Sequence, residues 1–397
     1  MQTTTAFSGL TCTDCGGSHG AADAPGRCPD CGGALDPTYD YDAVGLTRAT
    51  LADRPFDSLW RYDDLLPAPR EAAVSTGEGA TPLVACPQLA AELGVGRVLV
   101  KDEGHNPTGT AADRGLSVAV TAAAGGDVSD VALASPGDDG QSAAAYGARA
   151  GLDVHAFLPS RSGFVRKAMV NVHGGDMTVV EGRADDAKAA LADALDENEG
   201  WHSLQPFTTP YRHEGLKTAL FELVEQDDWR VPDHVVYPTG EGAGPVAAWK
   251  AARELVAVGL VDETPAVHAA QAEGCAPLVR AFEADRDVPD PWERPDTIAG
   301  GVEIPDPAGG RRALEAVRES GGRAVAAADD GALASAVTVA QREGVESGVS
   351  GGVAAAGAWE LAAADAFDPD DTVVVVNPVA GNKDADVLRS HLMSRGI

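Results

Sequence analysis

The sequence predicts an α/β protein built on parallel sheets with helices on both faces, preceded by a small zinc ribbon. Three observations predict it. From Arg97 onward, short apolar runs alternate with alanine-rich helical stretches, the pattern of strands joined by helical crossovers. A chain of 397 residues has room for two or three domains and a large core. Near the N-terminus, four cysteines fall as Cys12-x2-Cys15 and Cys28-x2-Cys31, a spacing that gathers four thiolates on one tetrahedral metal.

The ribbon comes first. Each cysteine pair is followed by two glycines, Gly16-Gly17 and Gly32-Gly33, which permit tight turns that aim backbone N–H groups at sulfur. With sulfur at all four positions no place is open to substrate, so the expected zinc is structural. Two disulfides, or a site that no longer holds metal, are the alternatives, and a reducing cytoplasm disfavours the disulfides. Asp14, Asp23, Asp30, Asp36, Asp40 and Asp42 surround the ribbon and Arg27 is the one basic residue inside it, so it presents no basic face to nucleic acid. Cys86 and Cys275 stand outside the spacing and read as small buried apolar residues.

The body follows. Strands are expected at Arg97 to Asp102, Val131 to Ala134, Val154 to Leu158, Met177 to Val180, His234 to Tyr237, Ala266 to Ala270 and Thr372 to Val376. Helices are expected at Gln141 to Ala150, Phe164 to Val172, Asp185 to Asn198, Glu214 to Gln226, Pro245 to Val258 and Leu333 to Arg342. In sheets of this kind ligands sit beyond the carboxyl ends of strands, where loops enter helices. Candidate functional residues are therefore sought just after each strand.

Charge narrows the partners. Acidic residues number 61 against 30 basic ones, a net charge of -31, and the lysines are only Lys101, Lys167, Lys188, Lys217, Lys250 and Lys383. Such a surface repels phosphate backbones and anionic membranes, which excludes nucleic acid and lipid as partners. It reads as halophilic, adapted to molar salt where screening acts over about 3 Å; an ordinary acidic protein is the alternative. No run of about 18 apolar residues suggests a membrane span. Met1 to Leu10 has no basic stretch followed by an apolar core. The expectation is a soluble, cytoplasmic protein.

After Arg97 to Asp102 comes a helix start reading Asn106-Pro107-Thr108-Gly109-Thr110-Ala111-Ala112-Asp113-Arg114-Gly115. The segment resembles the cofactor-anchoring motif of threonine synthases and related fold-type II pyridoxal phosphate (PLP) enzymes of the tryptophan synthase beta-like superfamily, Asn-Pro-Thr-Gly-Ser-Phe-Lys-Asp-Arg-Gly. Ala112 stands at the lysine position. In that family the lysine forms the imine with the cofactor aldehyde and shuttles protons at the substrate Cα, so alanine removes both functions. The tail Cys28-Pro29-Asp30-Cys31-Gly32-Gly33-Ala34-Leu35 is similar to the lead-in of archaeal threonine synthase-like proteins. The resemblance implies two parallel-sheet three-layer domains after the ribbon: ribbon 1–40, a large domain from 41–114 and 211–397, and a small domain at 115–210.

The resemblance further implies four cofactor loops, and each departs from its pattern. Ser135-Pro136-Gly137-Asp138 is similar to Ser-x-Gly-Asn, whose asparagine meets the cofactor's phenolic oxygen; an ionised carboxylate at Asp138 only accepts, which turns attraction into repulsion. Thr239-Gly240-Glu241-Gly242-Ala243-Gly244 looks like the phosphate cup, where N–H groups and a helix dipole attract an anion. Glu241 replaces a glycine there, and a carboxylate about 4 Å from phosphate costs on the order of 4 kcal/mol at an effective dielectric of about 20, unless its side chain points outward. By itself the glycine loop is equally a tight strand-to-helix turn. In Asn377-Pro378-Val379-Ala380-Gly381 the hydroxyl that meets the pyridine nitrogen aligns with Ala380, and its loss leaves a ring atom unsatisfied at about 1 to 3 kcal/mol.

Arg212, in Pro210-Tyr211-Arg212-His213-Glu214-Gly215-Leu216-Lys217-Thr218, is the candidate for a substrate anion; an ion pair with Glu214 or a nearby carboxylate is the alternative. Pro206-Phe207 stands where threonine synthases carry an Asn-Ser pair for homoserine phosphate. Lys101 is the nearest other amine in sequence, expected to point into the sheet. His105, His173 and His213 border loops without a nucleophile beside them.

The reading that results is a threonine synthase-like protein without the PLP imine, a degenerate binding or regulatory paralogue. It would bind a small anionic metabolite, or assemble as a homo-oligomer or with a paralogue. Two rivals stand beside it: an active lyase or synthase of threonine synthase or serine/threonine dehydratase type, using non-covalent PLP or another lysine, and a non-catalytic subunit of an active homologue.

Overall fold

Val373, Val374, Val375 and Val376 are all buried, and their strand, Thr372–Asn377, lies inside a six-stranded sheet. A run of β-branched residues with no polar alternation is what a strand covered on both faces requires. The sheet order is Ala324–Ala327, Ala266–Ala272, His234–Pro238, Thr372–Asn377, Arg97–Asp102, Leu83–Ala85. The first five strands run parallel, and Leu83–Ala85 closes the edge antiparallel. The helix Val349–Ala363 packs on its strands; glycine and alanine dominate it, and Val349 through Ala358 and Leu361 are buried.

A second, four-stranded sheet is parallel throughout, in the order Asp176–Val180, Asp153–Pro159, Asp130–Ala134, Trp201–Ser203. The third is the ribbon, where Phe7–Cys12 pairs antiparallel with Ser18–His19 and Leu35–Tyr39. The structure is a computed structural model that describes residues 1–21 and 26–396, so Asp23 of the ribbon lies outside the described residues.

Two compact units result. One comprises Met1–Ala80, Ala112–Glu222 and Arg253–Asp262; the other comprises Thr81–Ala111, Leu223–Ala252 and Glu263–Ile397. The ribbon and residues 41–80 thus share a unit with the segment 115–210. This first unit holds the ribbon and the four-stranded sheet, and the second holds the six-stranded sheet. Among the described residues no helix is long and apolar enough to cross a membrane.

Within the first unit, the helices Ala112–Ala124 and Arg212–Gln226 meet at their starts. A Cβ on Gly215 would stand 1.9 Å from the carbonyl oxygen of Arg114, so only glycine admits this approach. Arg114 is wholly buried and donates from both terminal nitrogens to Glu222, each at 3.1 Å, and to Thr218 Oγ1 at 3.2 Å. Asp113 accepts from Ser142 Oγ at 2.5 Å. The Asp-Arg-Gly that follows Ala112 is therefore a packing element.

The run after Arg212 ties the ribbon to this helix. His213 Nε2 lies 2.6 Å from Asp36 Oδ1, and the Tyr39 hydroxyl donates to Glu214. Lys217 donates to Glu214 at 2.6 Å and to Glu254 at 3.0 Å, with its ammonium 4.4 Å from the Tyr39 ring centre. Burial and the charge of Glu214 raise the Tyr39 phenol well above its ordinary range. His213, expected at a loop border, is a buried structural group.

Candidate functional site

The cysteine quartet forms as the spacing predicts. Gly16 N–H donates to Cys12 O and Gly32 N–H to Cys28 O, while Cys12 N–H reaches Gly17 O and Cys28 N–H reaches Gly33 O, two matching knuckles. Cys12 Sγ lies 3.5 Å from Cys31 Sγ, and Cys15 Sγ lies 3.8 Å from Cys28 Sγ. All four sulfurs fall within 4.8 Å of one another, and no disulfide joins them. A tetrahedron of zinc–sulfur bonds near 2.3 Å has sulfur edges of about 3.8 Å, so the cluster has the dimensions to hold zinc. Asp14 N–H points at Cys12 Sγ from 3.4 Å. Burial opposes ionisation of Cys12, but the backbone N–H groups of Cys15 and Asp14 outweigh it and bring the thiol down to about 7. His19 was not singled out from sequence, yet its Nε2 lies 3.4 Å from Cys28 Sγ and 3.7 Å from Asp30; a lone histidine between two knuckles carried no spacing signal.

In the second unit, three loops leave the carboxyl edge of neighbouring strands, those after Arg97–Asp102, His234–Pro238 and Thr372–Asn377. Asn377 donates to Asp102 Oδ1 at 2.8 Å and locks two of the strand ends together. The first and last loops then run side by side: Ala111 N–H donates to Pro378 O at 2.8 Å and Ala380 N–H to Gly109 O at 3.0 Å. The Ala380 methyl is thereby held 3.4 Å from where a Cβ on Gly109 would stand. It has no hydrogen-bonding group to offer.

The glycine loop begins the helix Ala243–Ala257, with Gly242 at φ +93°, a conformation that favours glycine. Gly240 and Gly244 pack against Ile304 and the Tyr237 ring. Glu241 turns away from the helix start: its Oε2 accepts from Ala308 N–H at 3.0 Å, and its carbonyl accepts from Gly309 N–H at 3.0 Å. The Glu241 side chain is thus engaged with the neighbouring loop at Ala308. Lys101 is fully buried in this unit and donates to Thr81 O and Gln226 Oε1, both at 2.8 Å. Cys86 and Cys275 are buried as expected, and burial pushes the Cys86 thiol up to about 12.

The first unit carries the remaining candidates. Ala112 starts the helix Ala112–Ala124, and its side chain belongs to the apolar cluster that contains Leu116, Val120 and Ala143. After Asp130–Ala134 the loop closes on itself, with Ser135 Oγ accepting from Gly137 N–H at 2.9 Å and Gly140 N–H at 3.0 Å. Asp138 accepts from Arg166 Nε at 3.0 Å. Arg212 is buried and donates to Asp139 Oδ2 at 2.5 Å and to Leu204 O at 3.1 Å. The carboxylate that meets Arg212 is thus Asp139, a neighbour of Asp138 that the sequence left unmarked.

Comparison with known proteins places this geometry. The family model described as "Pyridoxal-phosphate dependent enzyme" matches residues 74–379, and the chain belongs to that family. It is 36% identical over 368 residues to the threonine synthase of Methanosarcina acetivorans, covering 92% of this chain and 90% of that protein. It is 34% identical over 379 residues to the threonine synthase of Methanocaldococcus jannaschii, covering 94% and 93%. Among solved structures, a fungal L-serine ammonia-lyase from Rhizomucor miehei superposes with a TM-score of 0.68 at 19% identity, over 79% of this chain and 97% of that one. Maize serine racemase gives 0.66 at 19% identity, over 79% and 93%. These structures share the fold.

Proposed function

We propose that this chain is a threonine synthase-like protein that no longer holds PLP as an imine and acts by binding, as a regulatory or partner paralogue in amino acid metabolism. One observation supports the reading: by the motif's resemblance Ala112 stands at the family's lysine position, and its methyl sits in a buried apolar cluster. No amine is available there to condense with an aldehyde.

The other contacts agree. Ala380 cannot donate to a pyridine nitrogen, and Asp138 is committed to Arg166. The glycine loop keeps its backbone geometry with Glu241 turned aside, so an anion at that helix start is compatible while the ring and aldehyde contacts are not. The residues present do not fit an imine-anchored cofactor. When bound in the family, that cofactor supplies electron withdrawal at the substrate Cα; no step of that kind is assigned to this chain. Lys101 is spent inside its unit and gives the active-enzyme rival no support.

A structural zinc in the Cys12, Cys15, Cys28 and Cys31 cluster, a high-salt cytoplasm as the working medium and an oligomer with itself or a paralogue complete the proposal. The visible spectrum tests it. Purified protein mixed with PLP should show no internal-aldimine band and no borohydride-fixed adduct by mass. A band that borohydride bleaches, with the cofactor mass on one peptide, would overturn the reading.

A further inference from the structure

Arg212 is a buried guanidinium of the first unit, its side chain 4% exposed. Burying such a charge without a counter-anion is costly, so an anion beside it is a requirement of the fold or of a ligand. Here the chain supplies that anion. Asp139 meets Nη2 at 2.5 Å while Leu204 O takes Nη1 at 3.1 Å. The third face of the fork, Nε, is buried with no acceptor among the described residues. It faces Gly115, where a Cβ would stand 3.2 Å away. A guanidinium able to grip an oxyanion by two parallel bonds is thus held by one carboxylate oxygen and one carbonyl, with its Nε–H left unpaired.

The carboxylate comes from the first turn of the helix Asp138–Ala150. The residue before it, Asp138, takes Arg166 Nε, and Ser135 Oγ takes two N–H groups at the same helix start. Two N–H groups at this helix start and the Arg166 guanidinium are thus met by groups of the chain itself. Asp139 itself is 32% exposed, so it lies between the buried cation and solvent.

We propose that Asp139 is a tethered counter-anion that closes Arg212 to phosphate-bearing and carboxylate ligands, so that the ligand of this unit is neutral or cationic where it meets Arg212. The inference deepens the binding function proposed above and replaces the small anionic metabolite as its ligand class. It stands independently of whether PLP binds, because its test uses inorganic phosphate and no cofactor.

Phosphate is titrated calorimetrically into the full-length protein and into D139A, D139N and D139A/R212M. The wild type should bind phosphate at least about ten-fold more weakly than D139A, the margin of one charge-assisted hydrogen bond. D139N should gain less, because its amide oxygen still fills the position, and R212M should abolish the gain. A variant that unfolds without phosphate should be refolded by it. Equal affinity in wild type and D139A, no gain in a folded D139A or D139N, a gain that survives R212M, or a variant that phosphate fails to refold would each overturn the proposal.

Discussion

The ribbon and the cofactor motif are two sites of one family pattern, and they differ in what is missing. At the ribbon every donor is present and converged: four sulfurs within 4.8 Å, two matched knuckles, N–H groups aimed at sulfur. At the motif the supports are intact while the position proposed for the family's lysine, Ala112, carries a methyl. Asp113, Arg114 and Gly115, one to three residues beyond Ala112, all make their contacts. The difference follows from where each group's energy goes. A structural metal contributes its binding energy to folding, and buried ion pairs leave an uncompensated charge when broken. On the reading proposed here, an amine that serves only chemistry contributes nothing to packing, so a methyl in its place would leave the fold whole.

The largest expected effect is therefore at the ribbon. Chelation of the metal, or Cys12→Ser, should remove on the order of 10 kcal/mol of apparent folding free energy from this segment. Metal analysis should give one zinc per chain before treatment, and hydrogen exchange should show Phe7–Cys12 and Leu35–Tyr39 losing protection after it. Because Asp36 and Tyr39 reach His213 and Glu214, protection at the start of the helix Arg212–Gln226 should fall as well. An unchanged ribbon without metal would remove the contrast between the two sites.

Next comes the support beneath Ala112. Glu222→Gln leaves the buried Arg114 guanidinium short of a full counter-charge and should cost about 3 kcal/mol in chemical denaturation. Gly215→Ala forces a methyl against the Arg114 carbonyl and should cost about 1 to 3 kcal/mol. If either substitution were neutral, the Asp-Arg-Gly run would not be the working part of the packing described above.

Which features could be read in advance follows the same division. The strands expected at Val131 to Ala134, Val154 to Leu158, Met177 to Val180 and Thr372 to Val376 all lie inside observed strands, because apolar runs bounded by turns report burial directly. Helix starts were read late: the helix read from Gln141 begins at Asp138, and that read from Leu333 begins at Asp329, since acidic first turns carry no apolar period. The helix Val349–Ala363 has no polar face and thus no amphipathic signal. The cysteine spacing reported its own convergence, as local motifs do. Pairings between Asp139 and Arg212, or Glu241 and Ala308, span 73 and 67 residues, and no local pattern encodes which of many acids meets a given donor in an acid-rich chain.

The smallest expected effect is the one that bears most directly on function. Ala112→Lys restores the family's amine at a position 7% exposed in an apolar cluster, and its expected gain in threonine formation from homoserine phosphate is nil. The reason is that, on the proposed reading, the amine is one of several contacts absent from this chain. Ala380 would still leave a pyridine nitrogen unsatisfied at about 1 to 3 kcal/mol, and Asp138 would still present an acceptor to an acceptor. Asp139 would still hold Arg212 against a phosphate-bearing substrate. A borohydride-fixed adduct in Ala112→Lys without turnover would show that an amine at this position can be fixed to PLP while the proposed other departures still prevent turnover. Recovered turnover in the single variant would show that the remaining departures are tolerated and that one methyl alone separates this chain from an active enzyme.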